Sequence, residues 1–309
     1  MECPSTARGI VEQRASIPSL FMHRGRLRKA PAAIRFIGPF AAMYIAFFLI
    51  PLIQLFHLSL TQTRLGNPAG PFVGGRNYAR LVHDPAFWGA LLHTLYFVLL
   101  TAIPLVLLGL GLATLVLQAG KLALFAQAAF FLPYILPVSV VTLIAGWVLN
   151  ANYGIVNHLL GVSIAWFDDA TLGLPAVAIV TIWWTVGFNM LLFIAGLQTV
   201  PREVKEAAWL DGAGPWQVFQ HVIWPLLWPT TSLALVLQVI ASLKIFSQVY
   251  LLTAGGPGTS TRVLLEYMFD TGFSNLDSGY ASAIAVAIFL QIVIISAAQA
   301  RLLTKFGRR

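Results

Sequence analysis

Six apolar runs constrain this chain more than anything else in it. A hydrocarbon core about 30 Å thick takes roughly 20 apolar residues of α-helix to cross. Runs at about 36–56, 89–117, 124–149, 175–197, 229–252 and 279–300 meet that requirement. The roughly ten-residue alternating segments of a membrane barrel are not seen. The expected fold is therefore an all-α integral membrane protein with six transmembrane helices. A chain that is 58% hydrophobic and 10% charged could not keep this surface out of water as a soluble domain.

Charge sets the expected orientation. The net charge is +8, which could suggest nucleic acid, but the Lys/Arg excess follows the loops as the positive-inside rule requires. With the N-terminus inside, Arg64, Arg76, Arg80 and Arg262 fall outside and Lys244 falls within a span. The remaining fourteen of the nineteen basic residues lie inside. Both termini and the segment between spans four and five are thus expected in the cytoplasm. All eleven acidic residues fall outside the spans. The expected plan is a basic cytoplasmic tail over 1–35, a first span, an external segment over 57–88, a transmembrane domain over 89–300 and a short tail over 301–309. Met22 offers an alternative start inside the basic tail. Prolines 39, 51, 104, 133 and 137 predict kinks or breaks. Gly109, Gly111, Gly187 and Gly196 offer close helix approaches.

The external segments are polar and rich in Gly and Pro. Residues 65–88 read as a loop and a short amphipathic helix. Residues 151–173 read as interfacial, with Trp166 at headgroup depth. The single cysteine, Cys3, leaves no internal disulfide and no cysteine-built metal site.

One internal stretch combines charge with a helix pattern: VPREVKEAAWLDGAGPWQVFQHVIWPLLWP, residues 200–229. Pro201 can open a helix. Arg202 and Glu206 stand i,i+4, and Gly212 suits the left-handed residue that ends a helix. Pro215 can open a second helix running to about Val222, before Pro225. Ala207 and Ala208 leave room for another surface to approach the backbone. Packing on its own bundle or on lipid accounts for the stretch about as well.

Glu206-Ala207-Ala208, three residues, Gly212 and then Pro225 resemble the EAA loop of binding-protein-dependent ABC importer permeases. The similarity extends over VGGRNYARLVHDPAFWGALLHT, FFLPYILPVSVVTLIAGWVLNANYGIVN, WWTVGFNMLLFIAGLQTVP, LTAGGPGTST and GYASAIAVAIFL, and points to the sugar-permease branch. Val222 and Trp224 stand where the pattern usually has Ile and Leu, and Ser247 and His93 where the branch often has Asp and Asn. The resemblance implies coupling helices over 200–229, with Glu206, Ala207, Ala208, Leu210, Asp211, Gly212 and Pro225 facing a cytoplasmic ATPase subunit. It implies a second permease subunit, two ATPase subunits that hold ATP and magnesium, and an extracytoplasmic substrate-binding protein. No cofactor is expected on this chain.

Lys244 is the one formal charge inside a span. A charge there is costly unless it meets water or protein. It either snorkels to the headgroups or lines the translocation path with Gln238, Ser242 and Gln248. Asn189, Trp183 and Trp184 are weaker pathway candidates. Gly255, Gly256 and Pro257 lie in a glycine turn that lacks the Lys of a phosphate loop. By resemblance this outer loop meets the binding protein. No paired carboxylates, nucleophile–base set or metal-spaced histidines appear, so the chain is not expected to be an enzyme. A secondary transporter would need coupling-ion groups in its spans, and a channel would not need the 200–229 insert.

Overall fold

The computed structural model describes residues 30–67 and 70–306. The tail expected over 1–35 lies outside the described residues up to residue 29, as do Met22 and residues 307–309 of the C-terminal tail. The chain forms two units that meet in sequence between Ile53 and Gln54.

In the first unit, α1 (Ala30–Tyr44) runs through one π turn (Ile45–Leu49) into α2 (Ile50–Ser59). The cause is Pro51, which has no N–H for the preceding turn. The chain widens there, and the Ile50 N–H reaches back five residues to the Ile45 carbonyl. Phe40, Tyr44 and Phe48, each four residues apart, form a ring ladder along one face.

The second unit begins within α2, at Gln54, and continues into a short helix, α3 (Arg76–Val82), as expected. Next comes α4 (Pro85–Gln118), which starts four residues earlier than the sequence implies. Asp84 is its N-cap, its carboxylate accepting from the Ala86 N–H at 2.9 Å, with Pro85 as the first helical residue. After α5 (Ala123–Ile135) and α6 (Val138–Val148) come α7 (Ile155–Leu160) and the long α8 (Gly173–Gln198). The indole N–H of Trp166, in the segment expected at the interface, donates to Asn157 Oδ1 at 2.8 Å. The charged stretch folds as α9 (Arg202–Leu210), α10 (Pro215–Val218), a π turn (Phe219–Ile223) and α11 (Trp224–Leu226). Then follow α12 (Trp228–Leu243), α13 (Ser247–Leu252), α14 (Leu264–Phe269) and α15 (Ser278–Phe306).

Among the described residues four helices are long and apolar enough to cross a membrane: Ile37–Ser59, Pro85–Gln118, Gly173–Gln198 and Ser278–Leu303. Two bent pairs, Gly120–Ile135 with Val138–Val148 and Pro215–Leu226 with Trp228–Leu243, bring the number to six if each is one span. The first pair turns by 99°. Leu136 precedes Pro137, is forced into an extended conformation (φ −69°, ψ 139°), and so ends α5. Its freed carbonyl accepts from the Trp184 indole N–H at 3.2 Å.

Two expectations need correction. Residues 229–252 are not one continuous helix. The chain leaves helical geometry at Lys244–Phe246, where Phe246 takes φ −149° and ψ −64°. The second helix of the charged stretch does not stop before Pro225, because Pro225 sits in the first turn of α11, where a missing N–H costs nothing.

The core lies between α4 and α8. Val106, Leu110 and Ala113 pack against Met190, Phe193 and Leu197, with Leu227 and Ala234 closing the third side. Glycine lets these helices meet: a Cβ on Gly109 would lie 2.7 Å from the Asn189 Cβ, and one on Gly187 would lie 2.1 Å from the Phe130 carbonyl oxygen. Gly196 similarly faces Thr230. Gly111 does not serve this purpose, since nothing lies within 4 Å of its Cβ position.

Candidate functional site

Polar side chains gather between α4, α8 and α12. The Asn189 amide donates to Gln238 Oε1 at 3.3 Å, and the Gln238 amide donates to Ser242 Oγ at 3.4 Å. Ser242 Oγ in turn pairs with Thr101 Oγ1 at 2.7 Å. Asn189, Gln238 and Ser242 are all buried. A buried polar group left unmade is costly, so such a chain of bonds is held in one arrangement. It borders a cavity of about 250 Å³, which Gln248 also lines. The Gln248 amide has no side-chain partner among the described residues.

Aromatic rings complete the wall. Tyr134 stacks on Phe188 with ring centroids 5.2 Å apart, and Trp184 stands 6.5 Å from Tyr134. The cavity thus offers amide and hydroxyl groups beside flat ring faces. Of the pathway residues expected from sequence, Asn189, Gln238, Ser242 and Gln248 come together here. Trp184 joins them, whereas Trp183 lines a separate apolar recess with Ile144 and Ile179. Lys244 is exposed and is not part of the cavity wall, although Ser242 and Ile245 on either side of it are. Sequence reading missed Tyr134, Phe188, Thr181 and Thr185. The last two and Asn189 recur every four residues on α8, a polar stripe in an apolar helix that could have marked the face.

The α9–α11 surface forms a second candidate site. Pro201 is the N-cap, its φ of −58° already suited to helix entry. Arg202 Nε meets Glu206 Oε1 at 2.6 Å on the exposed face. Gly212 has φ +81°, and the Gly212 and Ala213 N–H groups donate to the Trp209 and Ala208 carbonyls. This is a Schellman stop, which favours glycine at the left-handed position. The Gln217 side chain then accepts from the Gly214 N–H at 2.8 Å and starts α10. Glu206, Ala207, Leu210, Asp211, Gly212 and Pro225 are exposed and Ala208 half-buried. Leu210 is 89% exposed and Trp216 70%, a large apolar display beside the charged residues of α9.

The glycine turn is partly enclosed. Gly255 (φ +75°) is buried, Gly256 half-buried and Pro257 exposed. Beneath it lies Glu266, 1% exposed, with one carboxyl oxygen lacking any partner. A Cβ on Gly255 would sit 3.3 Å from the other oxygen. Burial, helped by the nearby Asp270 charge, pushes this carboxyl up to about 7, against the pull of the Val263 N–H and Arg262. Nearby, Asp84 accepts from the Tyr267 hydroxyl and from the Tyr280 hydroxyl at 2.5 Å. Arg80 pairs with Asp277 at 2.8 Å and lies 3.9 Å over the Tyr280 ring. These contacts tie α3 and the start of α4 to α14 and α15.

Among the described residues no three His, Cys, Asp or Glu side chains come together as a metal site. A set of kinked apolar helices of membrane-crossing length, with an uncharged polar cavity between them, defines an integral membrane protein. Residues 105–308 match the family of binding-protein-dependent transport system inner membrane components. The chain belongs to that family and is a multi-pass inner-membrane permease subunit, not itself an enzyme. It is 35% identical to the sulfoquinovosyl glycerol transport system permease protein of Agrobacterium fabrum, covering 88% of this chain and 90% of that one. It is 31% identical to the trehalose/maltose transport system permease protein of Thermococcus litoralis, covering 87% and 92%. Its fold matches a bacterial ABC transporter involved in import of the acidic polysaccharide alginate, with TM-score 0.77 at 20% identity, over 90% of this chain and 99% of that one.

Proposed function

We propose that this chain is one half of the translocation pathway of an ATP-driven sugar importer. The observation that carries the reading is the cavity, in which the Asn189–Gln238–Ser242 chain and the unpartnered Gln248 amide face Tyr134, Trp184 and Phe188. Sugars present hydroxyls at their edges and C–H groups on their faces, so amides with aromatic rings suit both. The two relatives named above have sugar glycosides in their names, which supports the class.

In this reading the spans and tails follow the plan expected from the charge pattern, with both termini and residues 200–229 in the cytoplasm. A second permease subunit completes the pathway. Two ATPase subunits, which hold the nucleotide and magnesium, dock on α9 and its turn through Glu206, Ala207, Ala208, Leu210, Asp211 and Gly212, with Pro225 behind them. Their closure draws the coupling helices together and opens the cavity outward, and hydrolysis returns it. ATP must therefore bind the two cavity orientations unequally. A binding protein delivers cargo at the outer face, where Pro257 is the exposed member of the Gly255–Pro257 turn.

Co-purification tests the assembly. A tagged chain, extracted from its native membrane under conditions that keep such complexes intact, should retain an ATPase subunit. Recovery without one would overturn the importer reading.

A further inference from the structure

Lys244 closes α12 and opens the break that separates it from α13. Sixteen residues of α12 at 1.5 Å rise place it about 24 Å from the Trp228 end, in the span that the sequence sets over 229–252. Ala241 and Ser242 before it, and Ile245 and Gln248 after it, line the cavity. Its own side chain is exposed. It pairs with no carboxylate: the ion pairs among the described residues are Arg80–Asp277 and Arg202–Glu206. An ammonium in a span is costly against lipid tails: it either snorkels to the headgroups or marks a water-filled path or ligand site. The broken helix adds a negative dipole end at Leu243, which supplies no full counter-charge.

We propose that Lys244 reads charge at the edge of the pathway, and that the cargo is a sugar carrying an anionic group: a carboxylate, sulfonate, sulfate or phosphate ester. This rests on the reading of the cavity as a sugar path. The amides of Asn189, Gln238 and Gln248 meet the hydroxyls while the ammonium meets the anion. Lysine is a point charge on a flexible stem and sets no bidentate geometry, so it selects for charge and not for one anion. An anionic lipid headgroup carries the same chemistry and is the competing source.

The test uses the whole complex with its binding protein, reconstituted in phosphatidylcholine vesicles with and without phosphatidylglycerol. Paired probes are offered: glucose with glucuronate and glucose 6-sulfate, and cellobiose with glucuronosyl-β-1,4-glucose. The expected result is uptake of at least one charged probe in preference to its neutral partner. Lys244→Gln should then lower that uptake about tenfold, equivalent to about 1.4 kcal/mol, with co-purification of the ATPase unchanged. Lys244→Arg should keep most of it. Uptake of neutral probes alone, or charged uptake equal in Lys244→Gln, would overturn the proposal. So would a loss that follows phosphatidylglycerol content instead of probe charge. Uptake confined to neutral probes, with or without Lys244→Gln, removes this inference and leaves the sugar reading standing, whereas a coupled complex that carries no probe removes both.

Discussion

The Asn189 amide reaches Gln238 Oε1 across 3.3 Å and so joins α8 to α12 at the wall of the cavity. Behind Asn189 there is no space: Gly109 of α4 packs directly on its Cβ. The polar wall and the close α4–α8 packing are therefore one feature.

Gly109→Ala should lower stability by about 1–3 kcal/mol, the usual cost of overpacking, because its nearest obstacles include the Asn189 and Met190 backbone. Gly111→Ala, with open space around its Cβ position, should not. Thermal unfolding of the two variants in detergent checks the contrast; equal melting temperatures would argue against the close approach.

Gln238→Leu keeps the volume but removes the link between Asn189 and Ser242. A lost partner for a buried polar group costs about 1–3 kcal/mol. Uptake should fall about tenfold or more while the ATPase still co-purifies. Uptake kinetics in vesicles, scored against complex yield, separate a pathway role from a packing role.

Leu210→Glu should abolish ATPase co-purification and leave membrane insertion intact, since Leu210 is 89% exposed and carries no packing in this chain. Glu206→Lys should act in the same direction, because it replaces the Arg202 pair with like charges. Unaltered binding-protein-stimulated hydrolysis in both variants would remove α9 as the docking helix.

Glu266 gives a pH dependence with a definite sign. Its folded carboxyl is held near 7, above its ordinary value of 4.5, so the folded state binds the extra proton. The stabilisation is complete below about 4.5 and is lost as pH rises through about 7. Glu266→Gln imitates the protonated form and should flatten the stability profile across that window. A profile identical to the parent would mean that the carboxyl titrates normally.

Asp84 runs the other way. Burial alone would push it up, but the Tyr267 and Tyr280 hydroxyls with the Ala86 and Phe87 N–H groups outweigh that and hold it below its ordinary value of 3.8. Its contribution is present above that value and is lost as acid protonates it in the folded state. Asp84→Asn should reduce acid sensitivity while loosening the tie to α14 and α15. Melting curves at neutral and acidic pH would show both effects, and parallel curves would rule them out.

Much of this protein follows from one-dimensional facts. Membrane thickness converts apolar run length into spans, proline removes a donor wherever it falls, and Gly212 can take a conformation that stops α9. Those rules act within a few residues, so the bundle, the bend at Pro137 and the α9 turn were legible in the amino-acid order. Only the tertiary structure decided which faces meet. Thr101 and Ser242, 141 residues apart, touch because α4 and α12 pack side by side. Tyr134 enters the cavity because α5 packs closely along α8, where Gly187 admits the Phe130 carbonyl, and so sets its ring on Phe188. Lys244 leaves the helical stripe because the chain breaks there, a choice that depends on how α13 packs on α6 and α8 and not on any local breaker in Leu243-Lys244-Ile245-Phe246. Pairing between distant segments depends on the shapes that several helices present together, and no single stretch of sequence carries that shape.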